Sequence, residues 1–207
     1  MGKYRYCWDH PSARIGLTTS RHLPPVRVQP RSEYLHGAGP ATAIDELGHL
    51  VGRLCDDLCF SVARLDLYAD WQGWALTPAD KTCFVGRADT SRTWETAGRV
   101  TGFDFGSRTN HTLIARIYDK TLDVNRKSAD WWLQIWGERY QRGSPVHRVE
   151  FEFSRQALRE FELTTAAETL AAQADLWAYA TEQWLTHRTP STVPVADQPD
   201  LDADPAS

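Results

Sequence analysis

The sequence has no apolar run of about 18 residues and no N-terminal apolar segment followed by a secretory cleavage site. Its four cysteines form no C-x-x-C pair, the spacing typical of zinc sites and thioredoxin-like redox motifs. No internal repeat is present. These absences predict a cytoplasmic protein that has free thiols and no membrane partner.

Basic charge is also scarce, because 23 Lys and Arg stand against 27 Asp and Glu, whereas nucleic-acid binders usually carry a basic excess. Four of those acids lie in residues 189–207, which have no Lys or Arg and contain four prolines, so a disordered acidic tail is predicted. Residues 1–188 therefore carry 23 charges of each sign. Within them, residues 87–127 hold eight basic side chains against five acidic ones. A basic binding face there is one interpretation, and an ordinary solvated surface is the other.

The length and the 42% hydrophobic content are those of one globular domain, predicted to span residues 1–188. Alternating apolar residues predict strands, and helical spacing with capping signals predicts helices. The predicted extended runs are 14–19, 26–29, 33–36, 62–68, 99–107, 112–118 and 146–153. The predicted helices are 42–58, 128–136, 154–161 and a long C-terminal helix from 165 to about 186. Together these predict an α+β fold, in which helices pack on one face of a curved, antiparallel-rich sheet.

The strand that ends at Arg116-Ile117-Tyr118-Asp119-Lys120 places Arg116, Tyr118 and Lys120 on one face if the extended conformation continues to Lys120. A tyrosine nucleophile must overcome a pKa near about 10, and neighbouring positive charge favours the phenolate. The two cations also suit phosphate oxygens. The alternative is a surface strand end with cross-strand ion pairs.

Carboxylates form a second pattern, because Asp66, Glu150 and Glu152 lie on the polar faces of strands whose other faces are apolar. Such oxygen ligands suit a hard divalent cation, Mg²⁺ or Mn²⁺. Arg64 and Arg148, however, stand two residues before Asp66 and Glu150. Cross-strand salt bridges are therefore the favoured interpretation from the residues alone.

Four short segments, in this order, resemble the replication initiation factor family. The segments are Arg64-Leu65-Asp66-Leu67-Tyr68-Ala69-Asp70, Thr101-Gly102-Phe103-Asp104-Phe105-Gly106-Ser107-Arg108, Ala115-Arg116-Ile117-Tyr118-Asp119-Lys120 and His147-Arg148-Val149-Glu150-Phe151-Glu152. This family, the Rep_trans group, comprises rolling-circle plasmid replication initiators, filamentous-phage initiators and some relaxases of conjugative elements. Because the chain begins close to the family's first hairpin, the resemblance also implies a domain that is shortened at its N-terminus.

The resemblance implies a role for each matching residue. Tyr118 falls on the family's Y-x-K tyrosine, the nucleophile, and Lys120 on its lysine. Asp66 and Glu150 fall on the acids of its R-x-D and R-x-E motifs, the expected ligands of Mg²⁺ or Mn²⁺, with Glu152 as a third. Tyr118 would attack a phosphodiester and form a 5′-phosphotyrosyl link, while Arg116 or Lys120 offsets charge on the phosphate. No His-hydrophobe-His motif is present, so the expected metal site is dominated by carboxylates.

The implied partner is DNA, single-stranded or in a hairpin at an origin or transfer site, with a second copy of the chain and a host helicase as further candidates. We expect Arg64, Arg108, Arg126 and Lys127 to contact DNA. A second hypothesis is a catalytically inactive DNA-binding or regulatory protein with the same fold. A third is a protein-interaction domain that uses exposed tryptophans, for which core packing is the favoured alternative.

Overall fold

The computed structural model describes residues 2–53, 59–107, 109, 112–127 and 130–188. Its main sheet has five antiparallel strands in the order β4-β9-β8-β7-β6. The strands are β4 (Arg64–Gln72), β6 (Ser91–Thr96), β7 (Arg99–Phe105), β8 (Leu113–Asp119) and β9 (Val146–Ser154). The predicted α+β class is confirmed, as is the strand at 146–153. The predicted runs 99–107 and 112–118 form the neighbouring antiparallel strands β7 and β8.

A smaller sheet precedes the main one and has its own core. It consists of β1 (Tyr6–Asp9), β2 (Ala13–Leu17) and β3 (Val26–Pro30), and the main helix beside it is α2 (Pro40–Gly52). The extended run predicted at 33–36 is wrong, because α1 (Ser32–Ala38) occupies it. Glu33 lies in its first turn and His36 in its last, the ends at which the helix dipole favours them. The last residues of the predicted helix 42–58, residues 54–58, lie outside the described residues.

One face of the five-stranded sheet forms the main core, because alternate residues of each strand are apolar. Phe103, Phe151 and Phe153 are fully buried there, and burying each contributes about 1.5–3 kcal/mol. This face packs against helical residues that include Leu158 and Leu176. The helices on this side are α6 (Arg155–Glu160) and α8 (Gln173–Ala178), and α7 (Ala166–Ala171) lies between them in the chain.

The long C-terminal helix is not confirmed as one continuous element. A capping box formed by Thr165 and Glu168 opens α7 at the predicted start, but the helix is interrupted at Ala172. After α8 the chain forms a π-helical segment, Tyr179–Trp184, and then the strand β10 (Leu185–His187). Since β10 pairs with β5 (Phe84–Gly86), its backbone groups bond across strands instead of continuing a helix. The predicted tail, 189–207, lies outside the described residues.

Helices also contact the other face of the main sheet, in addition to those that pack on its apolar face. The connections contain α3 (Asp80–Cys83), α4 (Lys120–Lys127), α5 (Trp131–Trp136) and a 3-10 turn, Gly137–Arg139. Trp132 of α5 is buried, and its ring centroid lies 6.0 Å from that of Tyr68 on the polar face. Tyr68 presents a large ring to that side, which gives the helix an aromatic surface to cover.

Two further findings concern the described ranges as a whole. No helix in them is long and apolar enough to cross a membrane. Cys7, Cys59 and Cys83 are free thiols.

Candidate functional site

The strand register arranges the polar face of the main sheet in rows that run across neighbouring strands. Opposed residues share a face, so each row can be read from the pairing. One row is Arg92, Asp104, Arg116, Glu150 and Tyr68, and the next is Trp94, Gly102, Tyr118, Arg148 and Asp70. A third row contains Ile114, Glu152 and Asp66. The sheet therefore brings all but one of the predicted catalytic and metal-ligating residues onto one surface, and the remaining one, Lys120, follows at the end of β8.

The three carboxylates lie together and are paired with arginines. Arg116 donates to Glu150 Oε1 at 2.9 Å and also to Glu152. Arg64 donates to both oxygens of Asp66 at 2.6 Å and lies 3.1 Å from Glu152. This alternation of two guanidinium groups and three carboxylates confirms the ion-pair interpretation. It also shows that Arg64, predicted to contact DNA, has its charge directed into the network.

The pairing of these carboxylates with arginines also bears on the predicted metal site. In the part of the chain that the structure describes, no three His, Cys, Asp or Glu side chains are arranged to hold one ion. The guanidinium groups of Arg64 and Arg116 bridge the carboxylates, whereas shared coordination requires their oxygens to converge on one point. In this arrangement the residues do not fit a bound Mg²⁺ or Mn²⁺, and the metal stays a prediction.

Tyr118 forms the contact of greatest chemical interest. Its hydroxyl donates to Glu150 Oε2 over 3.1 Å, while Arg116 bonds the other oxygen of the same carboxylate. Burial raises the pKa of Tyr118 well above its usual value, and the negative charge of Glu150 raises it further. Arg148 acts in the opposite direction but does not outweigh burial. Neighbouring cations were expected to favour the phenolate, and in this environment the neutral phenol is favoured instead.

Lys120 lies beside the site, but it belongs to a helix and not to the predicted strand. Strand β8 ends at Asp119 and Lys120 begins α4, so the assumption that extended backbone continues to Lys120 is wrong. Its ammonium group nevertheless lies 5.9 Å from the centre of the Tyr118 ring and 4.8 Å from that of Trp132. It also donates to Asp123 at 2.8 Å. The cation is thus held beside the tyrosine by the first turn of the helix.

Arg148 is the residue of this site whose role sequence reasoning missed. It is 4% exposed and donates twice to Asp70, at 2.8 and 2.9 Å. Its guanidinium carbon lies 3.6 Å from the centre of the Tyr68 ring and 4.3 Å from that of Trp132. The signal was present in the sequence, because Asp70 continues the polar alternation of Asp66 and Tyr68 along β4.

An open polar groove of about 680 Å³ borders the site on the side of β6 and β7. Its lining residues are Thr90, Ser91, Arg92, Asp104, Gly106, Ser107, Thr109, Ile114 and Arg116. Arg116 therefore links the groove to Glu150 and Tyr118. Of the remaining predicted DNA contacts, Arg108 lies outside the described residues. Arg126 and Lys127 belong to α4, and their side chains lie outside the described part.

The chain matches no protein-family model, and no curated protein matches it. The similarity to replication initiators therefore depends on the four sequence segments alone.

Proposed function

We propose that the protein nicks and rejoins a DNA strand, with Tyr118 as the nucleophile and Glu150 as its general base. The observation that carries the proposal is the 3.1 Å hydrogen bond from the Tyr118 hydroxyl to Glu150, whose other oxygen Arg116 holds at 2.9 Å. A nucleophile, a base within reach and a group that orients the base form the arrangement used by activated nucleophiles. Following the family resemblance, the nick would start rolling-circle replication or transfer of a plasmid, phage or integrative element in the cytoplasm.

The chemical step is a transesterification. The Tyr118 oxygen bonds to phosphorus, the bond from phosphorus to the 3′-oxygen breaks, and a 5′-phosphotyrosyl link and a free 3′-hydroxyl result. The phenolic proton passes to Glu150, which then releases it through water, and the departing 3′-oxygen takes up one proton from water, so no net proton is gained or lost. Resealing is the reverse reaction. Since burial disfavours a free phenolate, the proton must leave Tyr118 as the new bond forms, which is the task of a general base.

The positive groups near the tyrosine would bind the phosphate. The Lys120 ammonium is close to the Tyr118 ring and can offset charge on the phosphate oxygens. Arg116 serves chiefly to hold Glu150 in place. The resemblance also implies Mg²⁺ or Mn²⁺, but its binding at Asp66, Glu150 and Glu152 would first require Arg64 and Arg116 to release those carboxylates. A second copy of the chain and a host helicase stay predicted partners.

The test is to incubate the protein with supercoiled and single-stranded DNA of the replicon that encodes it, with Mg²⁺, with Mn²⁺ or with EDTA. We expect a covalent protein–DNA adduct on a denaturing gel, which Tyr118→Phe abolishes. Glu150→Gln should slow its formation about 10²- to 10⁴-fold, the range for loss of a general base. Tyr6→Phe is the matched control, because the Tyr6 side chain is 56% exposed and lies in the small sheet. An equal adduct yield from Tyr118→Phe and wild type would refute the assignment.

A second candidate function is DNA binding without catalysis. It is favoured by the raised pKa of Tyr118 and by the ion pairs that occupy Asp66, Glu150 and Glu152. This hypothesis predicts salt-sensitive DNA binding with no covalent adduct under any of the ionic conditions. The same gel, run beside a binding assay, separates the two functions.

A further inference from the structure

The edge strand β6 presents a large aromatic surface on the polar face of the main sheet. Trp94 is 51% exposed, although its indole is held in place because Nε1 donates to Asp104 Oδ2 at 2.9 Å. A fixed, exposed ring loses little conformational entropy when a flat ligand stacks on it. Trp94 therefore has the properties of a stacking platform.

The position of Trp94 relative to Tyr118 adds a second observation. The two residues occupy the same row, separated only by Gly102, which has no side chain. Adjacent strands lie about 4.8 Å apart, so about 10 Å separates the backbones of Trp94 and Tyr118. A Cβ on Gly102 would lie 2.6 Å from the Ile117 carbonyl oxygen, so the close strand approach keeps this position free of a side chain.

Arg92 supplies a cation beside this platform. It lies two residues before Trp94 on the same face and lines the groove with the hydroxyl groups of Thr90, Ser91, Ser107 and Thr109. It makes no ion pair with any described residue, in contrast to Arg116, which is paired twice. Asp104 lies opposite Arg92 and also lines the groove, and its carboxylate accepts a hydrogen bond from Trp94 Nε1. A guanidinium group beside hydroxyls can bind a phosphate diester.

We propose that the groove and the neighbouring Trp94 together bind a nucleotide of single-stranded DNA next to the scissile phosphate, with its phosphate on Arg92 in the groove and its base stacked on Trp94 beside it. The proposal rests on the proposed function for the identity of the scissile phosphate. The unpaired base is essential to it, because a base within a duplex keeps both of its faces stacked and cannot contact the indole. The groove therefore selects for a single-stranded or extruded segment on the side of β6.

Binding is measured in the Tyr118→Phe background, where no nick can form, using the anisotropy of fluorescein-labelled oligothymidylate. Trp94→Ala should raise the Kd about 5- to 150-fold, the range for loss of one base–aromatic stack, and Trp94→Phe should retain most of the affinity. Arg92→Ala should make the slope of log K against log salt shallower by about 0.7, the value for one lost phosphate contact. Labelled duplex DNA should show no dependence on Trp94.

Trp71→Ala is the matched control, since Trp71 is 46% exposed but lies on β4, the opposite edge of the sheet. An unchanged Kd in Trp94→Ala, an equal loss in Trp71→Ala or no binding of oligothymidylate at low salt would overturn the proposal. Because this assay requires no nicking, the two proposals fail separately. If Trp94→Ala loses affinity but wild type forms no covalent adduct, the nucleotide-binding proposal is supported and the nicking proposal is refuted. If wild type forms the adduct but Trp94→Ala has an unchanged Kd, the nicking proposal is supported and the nucleotide-binding proposal is refuted.

Discussion

The buried pair of Arg148 and Asp70 allows the energetics of the polar face to be tested without any substrate. Asp70→Asn removes the negative charge but keeps the volume, so no cavity is created. It leaves the Arg148 guanidinium, which is 4% exposed, without its carboxylate. Removal of one partner from a buried pair lowers the free energy of unfolding by about 3–5 kcal/mol, because the remaining charge is uncompensated.

The aromatic rings beside Arg148 moderate this loss. Tyr68 and Trp132 lie within 3.6 and 4.3 Å of the guanidinium carbon and continue to interact with the cation after Asp70 is changed. Such contacts stabilise by about 0.5–2 kcal/mol, so we expect a loss near the lower end of the range, about 3 kcal/mol. For a chain of this length that corresponds to a fall in Tm of about 6–12 °C.

Urea denaturation followed by tryptophan fluorescence measures the loss directly. The double variant Asp70→Asn with Arg148→Met removes both charges, and we expect it to be more stable than Asp70→Asn alone, since an apolar replacement needs no partner. Asp9→Asn is the control, because Asp9 pairs with Arg14 and Arg31 at an exposed site, where ion pairs have little effect. A loss below about 1 kcal/mol for Asp70→Asn, or a double variant no more stable than the single one, would refute the reasoning.

Three further predictions follow from individual residues. The raised pKa of Tyr118 contributes stability that is fully present below about pH 10 and is lost as pH rises through the pKa of the folded state. The free energy of unfolding should therefore fall more steeply above about pH 10 in wild type than in Tyr118→Phe. Gly102→Ala should lower the free energy of unfolding, measured by urea titration, by about 1–3 kcal/mol, because the added Cβ would meet the Ile117 carbonyl oxygen. Gly48→Ala is the control and should be neutral or stabilising, because its Cβ would meet nothing within 4 Å. Thr165→Ala should lower the same quantity by about 0.5–2 kcal/mol through loss of the α7 cap.

The strands of the main sheet could be predicted from the sequence because their faces alternate. Val149, Phe151 and Phe153 alternate with Arg148, Glu150 and Glu152, and a one-residue shift would expose the whole apolar set. Helix ends were less predictable. No local signal showed that the segment after α8 becomes β10, because its partner β5 lies about a hundred residues earlier in the chain and the pairing is tertiary.

For the candidate site, the sequence predicted which residues share a face but not which partners they choose. Asp66, Glu150 and Tyr118 do share one face of the sheet, since alternation is a property of each strand, and Tyr118 contacts Glu150 there. The partner of Arg148 depends on the register between β4 and β9, which places it opposite Asp70 and not beside Asp66. Burial of Tyr118 likewise depends on how the folded chain surrounds it, so the direction of its pKa shift was not accessible from neighbouring cations in the sequence.

The net charge of the carboxylate cluster explains why Arg92, which forms no ion pair with a described residue, is important for binding a phosphate. Asp66, Glu150 and Glu152 carry one more charge than Arg64 and Arg116 neutralise, so this cluster repels an incoming phosphate diester. Arg116 and Lys120, the cations beside Tyr118, are each paired with a carboxylate, whereas Arg92 in the bordering groove forms no ion pair within the described part of the chain. Attraction must then begin in the bordering groove, and a strand bound there would be delivered to the tyrosine along the row of side chains that starts at β6. Under the proposed function, duplex DNA would offer phosphates but no free base to that row, so unpaired DNA is the expected ligand even though residues 1–188 carry no net basic charge.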